Sequence, residues 1–259
     1  MTSVNTISKR MPDSINRVAG MKLTAQMEPF DSFWEGPDDV EKGYGKFYEF
    51  YRHNYLRHLP EDRNCKILVI SCGPGYFVNT LLKHGYRNVL GIDSFEKKIE
   101  YAKQRNLNCQ VERAFPFLAV CKNTFDVIFC EQELNHLTKE EILVFLGLVQ
   151  ESLVPGGTLL VHGLNGANPI TGAEALAQNF DHYNTFTEYT LRQVLEYSMF
   201  EQIRVFPLNL YVFYKNPFNY VAWALSTLLN AFFHGCFILY GKSNRIFSKK
   251  LAAVCQKPQ

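Results

Sequence analysis

The sequence has no large excess of charge of either sign. It carries 27 Lys and Arg residues against 25 Asp and Glu residues, which gives a formal net charge of +2 at pH 7. Binding to the phosphates of a nucleic acid generally needs a concentrated basic patch. The charge balance therefore predicts no nucleic-acid partner.

Two further features are missing from the sequence. None of the seven cysteines forms a C-x-x-C pair, which argues against a zinc site and for a reducing compartment. Residues 1–17 also lack the apolar core of a secretory signal peptide. Together these absences predict a cytoplasmic protein.

The domain organisation follows from length and polarity. A chain of 259 residues can bury one good core, so a single domain is the economical expectation. Residues 1–37 are polar and show no sustained period, which predicts an N-terminal arm. The main domain is expected to cover residues 38–259, with an apolar helical insert at 217–240.

The rest of the chain is organised around residues 66–94. A short apolar run enters a turn that contains Gly73 and Gly75, a helical pattern follows, and a second apolar run stops at Asp93. This order forms the first half of a nucleotide-binding unit, in which glycines admit a ligand and the acid binds ribose hydroxyls. Val78 occupies the third glycine position of the dinucleotide fingerprint, which disfavours a dehydrogenase. The pattern predicts an adenosine-type cofactor.

The same stretch resembles motif I of the class I S-adenosylmethionine-dependent methyltransferases, which reads roughly L-D-I-G-C-G-x-G. Val69 stands where the family has an acid, and Ser71 replaces the first glycine. After the third predicted strand, Arg113 stands where the family has an acid that contacts adenine. The resemblance implies S-adenosylmethionine as cofactor, and it places the cofactor-binding residues at Ser71, Cys72, Gly73, Gly75, Asp93, Ser94, Arg113, Ala114 and Glu131.

The remaining pattern continues the alternation of strands and helices. Further strands are predicted at 108–112, 124–130, 158–162, 203–214 and 250–255. The turn Pro155-Gly156-Gly157 precedes the fifth strand and resembles the family's L-K-P-G-G element. These elements predict an α/β fold: a doubly wound, mostly parallel, seven-stranded, Rossmann-like sheet with a helical insert before the last strand.

Two helix starts and one apolar helix face are also predicted. Thr138 and Glu141 form a capping box, and Thr187 caps a later helix.

Before the first strand, apolar residues recur at helical spacing and predict a buried face: Tyr44, Phe47, Tyr48, Tyr51, Tyr55 and Leu59. In similar methyltransferases this helix caps the cofactor cleft, so the resemblance implies that Trp34 or Tyr44 reaches the ligand.

Residues 182–187 carry a second resemblance. Their H-x-x-x-F-T pattern, together with Asn165 after the fifth strand, resembles methyltransferases of bacterial surface-polysaccharide and related glycan pathways. The resemblance implies methylation of a sugar hydroxyl, for which a positioned base removes the proton. His182 is the first candidate for this base, with Asp181 or Asn165 orienting it or the substrate, and His136 is the second. A purely structural role for His182 stays open.

The loop after the fourth strand resembles the family's E-H-L element, with Asn135 in place of glutamate. Because an amide is a poorer metal ligand than a carboxylate, this replacement predicts no metal requirement. Two alternatives to glycan methylation stay open. One is a quinone-like or other small aromatic acceptor. The other is a degenerate, non-catalytic scaffold, which Val69, Ser71 and Arg113 together suggest.

Residues 217–240 form the longest apolar stretch, although polar residues interrupt it. A membrane span takes about 20 predominantly apolar residues, and the interruptions argue against one. The stretch is therefore expected either to pack on the domain as a core helix or to lie on a membrane surface. In the second case residues 217–250 contact lipid at the inner face of the membrane, with basic side chains meeting anionic headgroups: Lys242, Arg245, Lys249 and Lys250.

Overall fold

The computed structural model of the protein describes residues 37–131, 133–210 and 216–259. The strands in these ranges are β1 (Lys66–Ile70), β2 (Asn88–Asp93), β3 (Cys109–Val111), β4 (Phe125–Glu131), β5 (Leu153–Leu164), β6 (Glu201–Pro207) and β7 (Lys250–Gln256). The helices are α1 (Pro37–Asn54), α2 (Tyr76–Lys83), α3 (Glu96–Gln104), α4 (Ala114–Val120), α5 (Lys139–Ser152), α6 (Gly172–Ala177), α7 (Glu188–Tyr197) and α8 (Phe218–Leu239). Two 3-10 helices cover Leu56–His58 and Glu133–His136.

The strands form one sheet in the order β3-β2-β1-β4-β5-β7-β6. The first five strands are parallel, and β7 runs antiparallel between β5 and β6. The predicted fold class, a seven-stranded, mostly parallel α/β sheet with a helix before the last strand, is confirmed.

Helices cover both faces of the sheet, which is why its central strand is apolar on both sides. In β1, Ile67 and Val69 enter one core cluster, which α1, α2 and α3 cover. Leu68 and Ile70 enter the other cluster, under α4, α5 and α7. Val69, the residue at the family's acid position, is thus 1% exposed and belongs to the core.

The predicted aromatic face packs inward, although α1 ends at Asn54, before the last two predicted members. Four of the six members are buried: Tyr44 and Tyr51 in α1, and Tyr55 and Leu59 on either side of the 3-10 helix that follows. The Tyr44 hydroxyl donates to the Pro74 carbonyl at 2.5 Å, so this side chain contacts the backbone of the glycine turn. Trp34, the other residue expected to reach the ligand, lies outside the described residues.

The predicted helix caps are present. In α5, the Thr138 side chain accepts from the Glu141 amide, and Glu141 accepts in return from the Thr138 amide. In α7, Thr187 forms the same reciprocal pair with Thr190. Satisfying the first amides of a helix in this way fixes where the helix begins.

Two strand boundaries differ from the prediction. The strand expected at 158–162 is part of β5, which already begins at Leu153. The strand therefore includes the Pro-Gly-Gly segment that was predicted as a turn. Its pairing with β4 shifts register opposite this segment, between Phe125 and Val127. The strand expected at 203–214 is β6, which ends at Pro207. Proline has no amide hydrogen to continue a ladder. Residues 211–215 lie outside the described part of the chain.

The predicted insert is the helix α8, and no residue of it is buried. The interpretation as a buried core helix is therefore wrong. Among the described residues, α8 is the one helix that is long and apolar enough to cross a membrane.

Gly75 has a packing role that a substitution can test. Its φ is +82°, and a Cβ there would lie 2.8 Å from Leu107 Cδ1. We expect Gly75→Ala to lower the free energy of unfolding by about 1–3 kcal/mol through strain and overpacking. Urea unfolding measures this change.

The matched control for this test is Gly45→Ala in α1, where a Cβ would meet nothing within 4 Å. Alanine is the better helix former, so this variant should gain up to about 1 kcal/mol. Equal unfolding free energies for the two variants would contradict the packing role of Gly75.

Candidate active site

The turn between β1 and α2 lies at the carboxyl end of a parallel strand, where open α/β sheets bind ligands. Its residues Ser71, Gly73 and Gly75 have φ values of 54°, 53° and 82°. A Cβ on Gly73 would meet nothing nearer than Lys98 Cδ at 4.0 Å. Gly73 is therefore the glycine that a ligand can approach, whereas Gly75 is required for packing.

Asp93 connects this turn to the end of β2. Its Oδ2 accepts from the Gly73 amide at 2.9 Å, and its Oδ1 accepts from the Phe95 amide at 2.8 Å. An ionised carboxylate has about four acceptor positions, so each oxygen keeps capacity for a ribose hydroxyl. Ser94, the next residue, is exposed. The carboxylate that was predicted to bind ribose thus also holds the glycine turn.

The other predicted cofactor residues around the turn differ in accessibility. Cys72 is buried, and a hydrogen bond with Cys109, together with burial, raises the pKa of its thiol. Its side chain lies in the core, where Sγ donates to the Gly73 carbonyl at 3.6 Å. Arg113 is exposed and immediately precedes α4, whose first residue, Ala114, is half-buried.

The turn after β3 lies beside the end of β2. The Glu112 amide donates to the Asp93 carbonyl at 3.0 Å, which places Arg113 one residue from this contact. The exposed guanidinium has the reach and planarity to stack on an adenine ring.

Glu131 ends β4 inside a polar network that the sequence did not predict. Its Oε2 accepts from the Tyr51 hydroxyl at 2.5 Å, and its Oε1 lies 3.8 Å from His162 Nδ1. His162 Nδ1 is also 2.7 Å from the Tyr55 hydroxyl. Burial raises the pKa of Glu131, and nearby Lys250 opposes that shift. The network connects α1 to the ends of β4, β5 and β7.

His162 is unsuited to act as a general base that exchanges its proton with solvent. It is 0% exposed, and its Nε2 has no hydrogen-bond partner. Burial lowers its pKa well below the ordinary value, and Lys250 adds to this effect. His162 therefore stays neutral inside the network.

A second acid, Glu133, connects the glycine turn to the loop after β4. Its carboxylate accepts a hydrogen bond from the Ser71 hydroxyl. Burial raises the pKa of Glu133, while the Ser71 hydrogen bond opposes the shift. Side chains three residues apart eclipse in a 3-10 helix, so Glu133 and His136 share one face of the helix that contains both.

His136 forms a close pair with Asp181. Its Nδ1 lies 3.0 Å from Asp181 Oδ2, and the His136 side chain is 32% exposed. The contact is at ion-pair distance, although no hydrogen bond of standard geometry joins the two groups. Burial lowers the pKa of His136, although Asp181 opposes this. The pair thus brings a candidate base close to a carboxylate that can stabilise its protonated form.

His182 has a different environment from His136. Its Nδ1 contacts the Ala175 carbonyl at 2.8 Å, and its Nε2 lies 3.3 Å from Asn179 Nδ2. Both ring nitrogens are thus engaged within the loop, and the side chain is 7% exposed. Its ring centroid lies 4.8 Å from that of His136. His182 supports the loop that carries Asp181.

Two buried asparagines hold the backbone around the site: Asn135 binds this loop, and Asn165 binds the segment after α8. Asn135 donates to the Asn184 carbonyl and accepts from the Leu164 amide. Asn165 donates to the carbonyls of Ile246 and Ser248. The Asn165 amide is thus committed to the backbone, so Asp181 stays the candidate orienting residue, and its contact is with His136.

His136, Asp181 and His182 also form a group whose ligand atoms lie within 4.8 Å of one another, close enough to hold a metal ion. His182 would have to give up the contact of its Nε2 with Asn179 to bind one. Only two of the three side chains therefore offer a free donor, and the absence of a metal requirement stays a prediction.

The family comparison identifies one domain. Residues 67–157 match the family model described as a methyltransferase domain. The match runs from β1 through the glycine turn and Asp93 to the Pro-Gly-Gly turn of β5. A search of curated proteins finds no match.

Solved structures with a similar fold include several methyltransferases. A SAM-dependent methyltransferase from Archaeoglobus fulgidus has a TM-score of 0.63 at 15% identity, over 86% of this chain and 100% of that chain. Phosphoethanolamine N-methyltransferase 2 from Haemonchus contortus, in complex with phosphomonomethylethanolamine and S-adenosylhomocysteine, has a TM-score of 0.59 at 14% identity, over 90% and 61%. A possible histamine N-methyltransferase from Thermotoga maritima has a TM-score of 0.57 at 14% identity, over 85% and 95%.

At these identities the structural likeness shows the fold, which is that of the class I methyltransferases. The matched domain, which contains the glycine turn and Asp93, supports the predicted enzyme class and S-adenosylmethionine as methyl donor. The individual site residues stay predictions. Sequence reasoning did not single out Tyr51 or Glu133 as site residues: Tyr51 belongs to a stripe predicted as core, and nothing marks Glu133 as the partner of Ser71.

Proposed function

We propose that this protein, which carries a methyltransferase domain with the class I fold, methylates a hydroxyl of a glycan or lipid-linked saccharide. The observation that carries the proposal is the His136–Asp181 pair, at 3.0 Å, in the loops beside the cofactor turn. Methylation of a hydroxyl requires removal of its proton, and this pair supplies a positioned base. The resemblance of residues 182–187 to glycan-pathway methyltransferases supports the acceptor class.

When bound, S-adenosylmethionine would supply a methyl group on a sulfonium, whose sulfur departs neutral. His136 would accept the proton of the acceptor hydroxyl as its oxygen takes the methyl group. Asp181 then stabilises the imidazolium. Because the leaving group needs no proton, the chain's main tasks are alignment and proton removal.

The lowered pKa of His136 suits this role. Burial shifts it below the usual value of 6.5, so His136 is neutral at pH 7 and able to accept a proton. Turnover should therefore rise with pH through the His136 pKa and stay level above it.

Two exposed aromatic rings flank Asp181 and His182. Phe180 is 88% exposed and Tyr183 is 43% exposed. Such rings offer a flat apolar surface with little conformational entropy to lose, and either a sugar ring or an aromatic acceptor would pack there. The same surface thus suits the alternative of a quinone-like acceptor, which the acceptor assay below distinguishes.

The acceptor class is tested by methyl incorporation. The full chain is incubated with labelled S-adenosylmethionine and either a glycan and lipid-linked saccharide extract or a quinone-containing lipid extract. We expect alkali-stable label in the saccharide fraction, with or without EDTA. Label found only in quinones would contradict the proposed acceptor. Loss of methyl transfer on adding EDTA would contradict the prediction that no metal is required.

The base is tested by two variants with opposite expected results. His136→Ala should reduce turnover by about 10²-fold or more, the usual contribution of general base catalysis, and should leave S-adenosylhomocysteine affinity unchanged. His182→Asn keeps a side-chain amide that can donate to the Ala175 carbonyl but cannot act as a base, so most turnover should remain.

The pH profile provides the control for this pair of variants. The turnover of His182→Asn should still rise with pH on the acidic side of the profile (its acid limb), and the turnover of His136→Ala should not. If His182→Asn loses turnover and the acid limb while His136→Ala keeps both, His182 is the base.

A further inference from the structure

The helix α8 presents a wide apolar surface to its surroundings. It is 22 residues long, and none of its most apolar window is buried. Large side chains along its outward face are strongly exposed, including Leu228 at 67%, Phe232 at 64% and Leu239 at 86%. Contiguous exposed apolar patches of this kind mark interaction surfaces.

The polarity of α8 is the reverse of that of an ordinary surface helix. Four of its polar residues recur at helical spacing and are half-buried, whereas Thr227 is exposed: Asn219, Ser226, Asn230 and His234. Next to them, Phe237 packs against Phe247, with ring centroids 4.7 Å apart. A helix in water turns its polar face outward, so the reversed arrangement indicates apolar surroundings on the outside.

The connections of α8 exclude a simple crossing of a membrane. The helix leaves the sheet after β6 and rejoins it at β7, and these two strands pair with each other. After the helix, Ser243 accepts from the Tyr189 hydroxyl, and the Ile246 amide donates to Glu188. A single crossing would place two paired strands on opposite sides of the bilayer. The helix must therefore lie along one surface.

The charges around α8 identify that surface. No acidic residue occurs between Asn209 and Lys250 in the sequence, and Glu188 of α7, which lies beside this segment, accepts from the Arg245 and Ile246 amides. Lys242 and Arg245 are exposed just beyond the C-terminal end of the helix. Basic side chains beside an apolar helix face are attracted to a bilayer that contains anionic lipid.

We propose that α8 binds in the plane of an anionic lipid bilayer, with its outward face among the acyl chains and Lys242 and Arg245 at the headgroups. The segment after α8 also packs at the carboxyl end of β5, since Asn165 donates to the Ile246 and Ser248 carbonyls, and open α/β sheets bind ligands at that edge. Membrane binding would thus hold the acceptor side of the domain near lipid-linked molecules. The proposal does not depend on methyl transfer.

The test is flotation of the full chain with vesicles of phosphatidylcholine mixed with phosphatidylglycerol, or of phosphatidylcholine alone. The wild-type protein should float with the anionic vesicles, and less of it should float as salt is raised. For the combined variant Leu225→Asp, Leu228→Asp and Phe232→Asp, the partition coefficient between vesicles and water should fall at least about tenfold, since each change removes apolar side-chain burial in the bilayer. These side chains are exposed, so the fold should be retained.

The matched control places the same charges on exposed apolar positions elsewhere: Leu82→Asp, Val120→Asp and Tyr197→Asp. This variant should float like the wild type. Trp34→Phe leaves Trp223 as the sole tryptophan, and its emission should shift to shorter wavelength with anionic vesicles.

Two results would overturn the proposal. One is a wild-type protein that does not float, or an α8 variant that floats as well as the wild type. The other is a lipid-free dimer that the α8 substitutions dissociate without any flotation, which would make a second copy of the chain the occupant of this surface.

Discussion

The hydrogen bonds of Asp93 to two backbone amides are the interaction on which the site depends. One carboxylate fixes the left-handed Gly73, at 2.9 Å, and the start of the segment after β2, at 2.8 Å. Charge-assisted bonds of this kind contribute roughly 1.5–3 kcal/mol each. They hold the turn open before any ligand arrives, so the cofactor does not have to organise it.

A series of contacts connects the glycine turn to the loop at 181–184. Ser71 in the turn contacts Glu133, which shares a 3-10 helix with His136, and His136 faces Asp181. Asn135 in the same short helix is bound to the backbone of the 181–184 loop. A shift in the glycine turn would therefore displace His136, the proposed base, as well, and such coupling suits a reaction that depends on alignment.

Much of the fold and part of the site could be predicted because the signals are local. Asp93 and Gly73 belong to one strand-turn-helix-strand unit, and the caps at Thr138 and Thr187 are read within a single turn. The partners of Glu131, Glu133 and Asn135 lie 80, 62 and 49 residues away, so no periodicity could reveal them. The surroundings of α8 were open for a different reason: apolar composition suits a core and a lipid surface equally, and only the exposure of the helix in the fold excludes the core.

The most direct test is titration calorimetry of the full chain with S-adenosylhomocysteine, with Asp93→Ala beside the wild type. We expect one molecule to bind per wild-type chain and the variant to lose at least about tenfold in affinity, since a lost hydrogen bond to a charged group exceeds the 1.4 kcal/mol that tenfold represents. No heat from the folded wild-type protein, or equal affinity in Asp93→Ala, would contradict this expectation and favour a scaffold that does not bind the methyl donor at this turn.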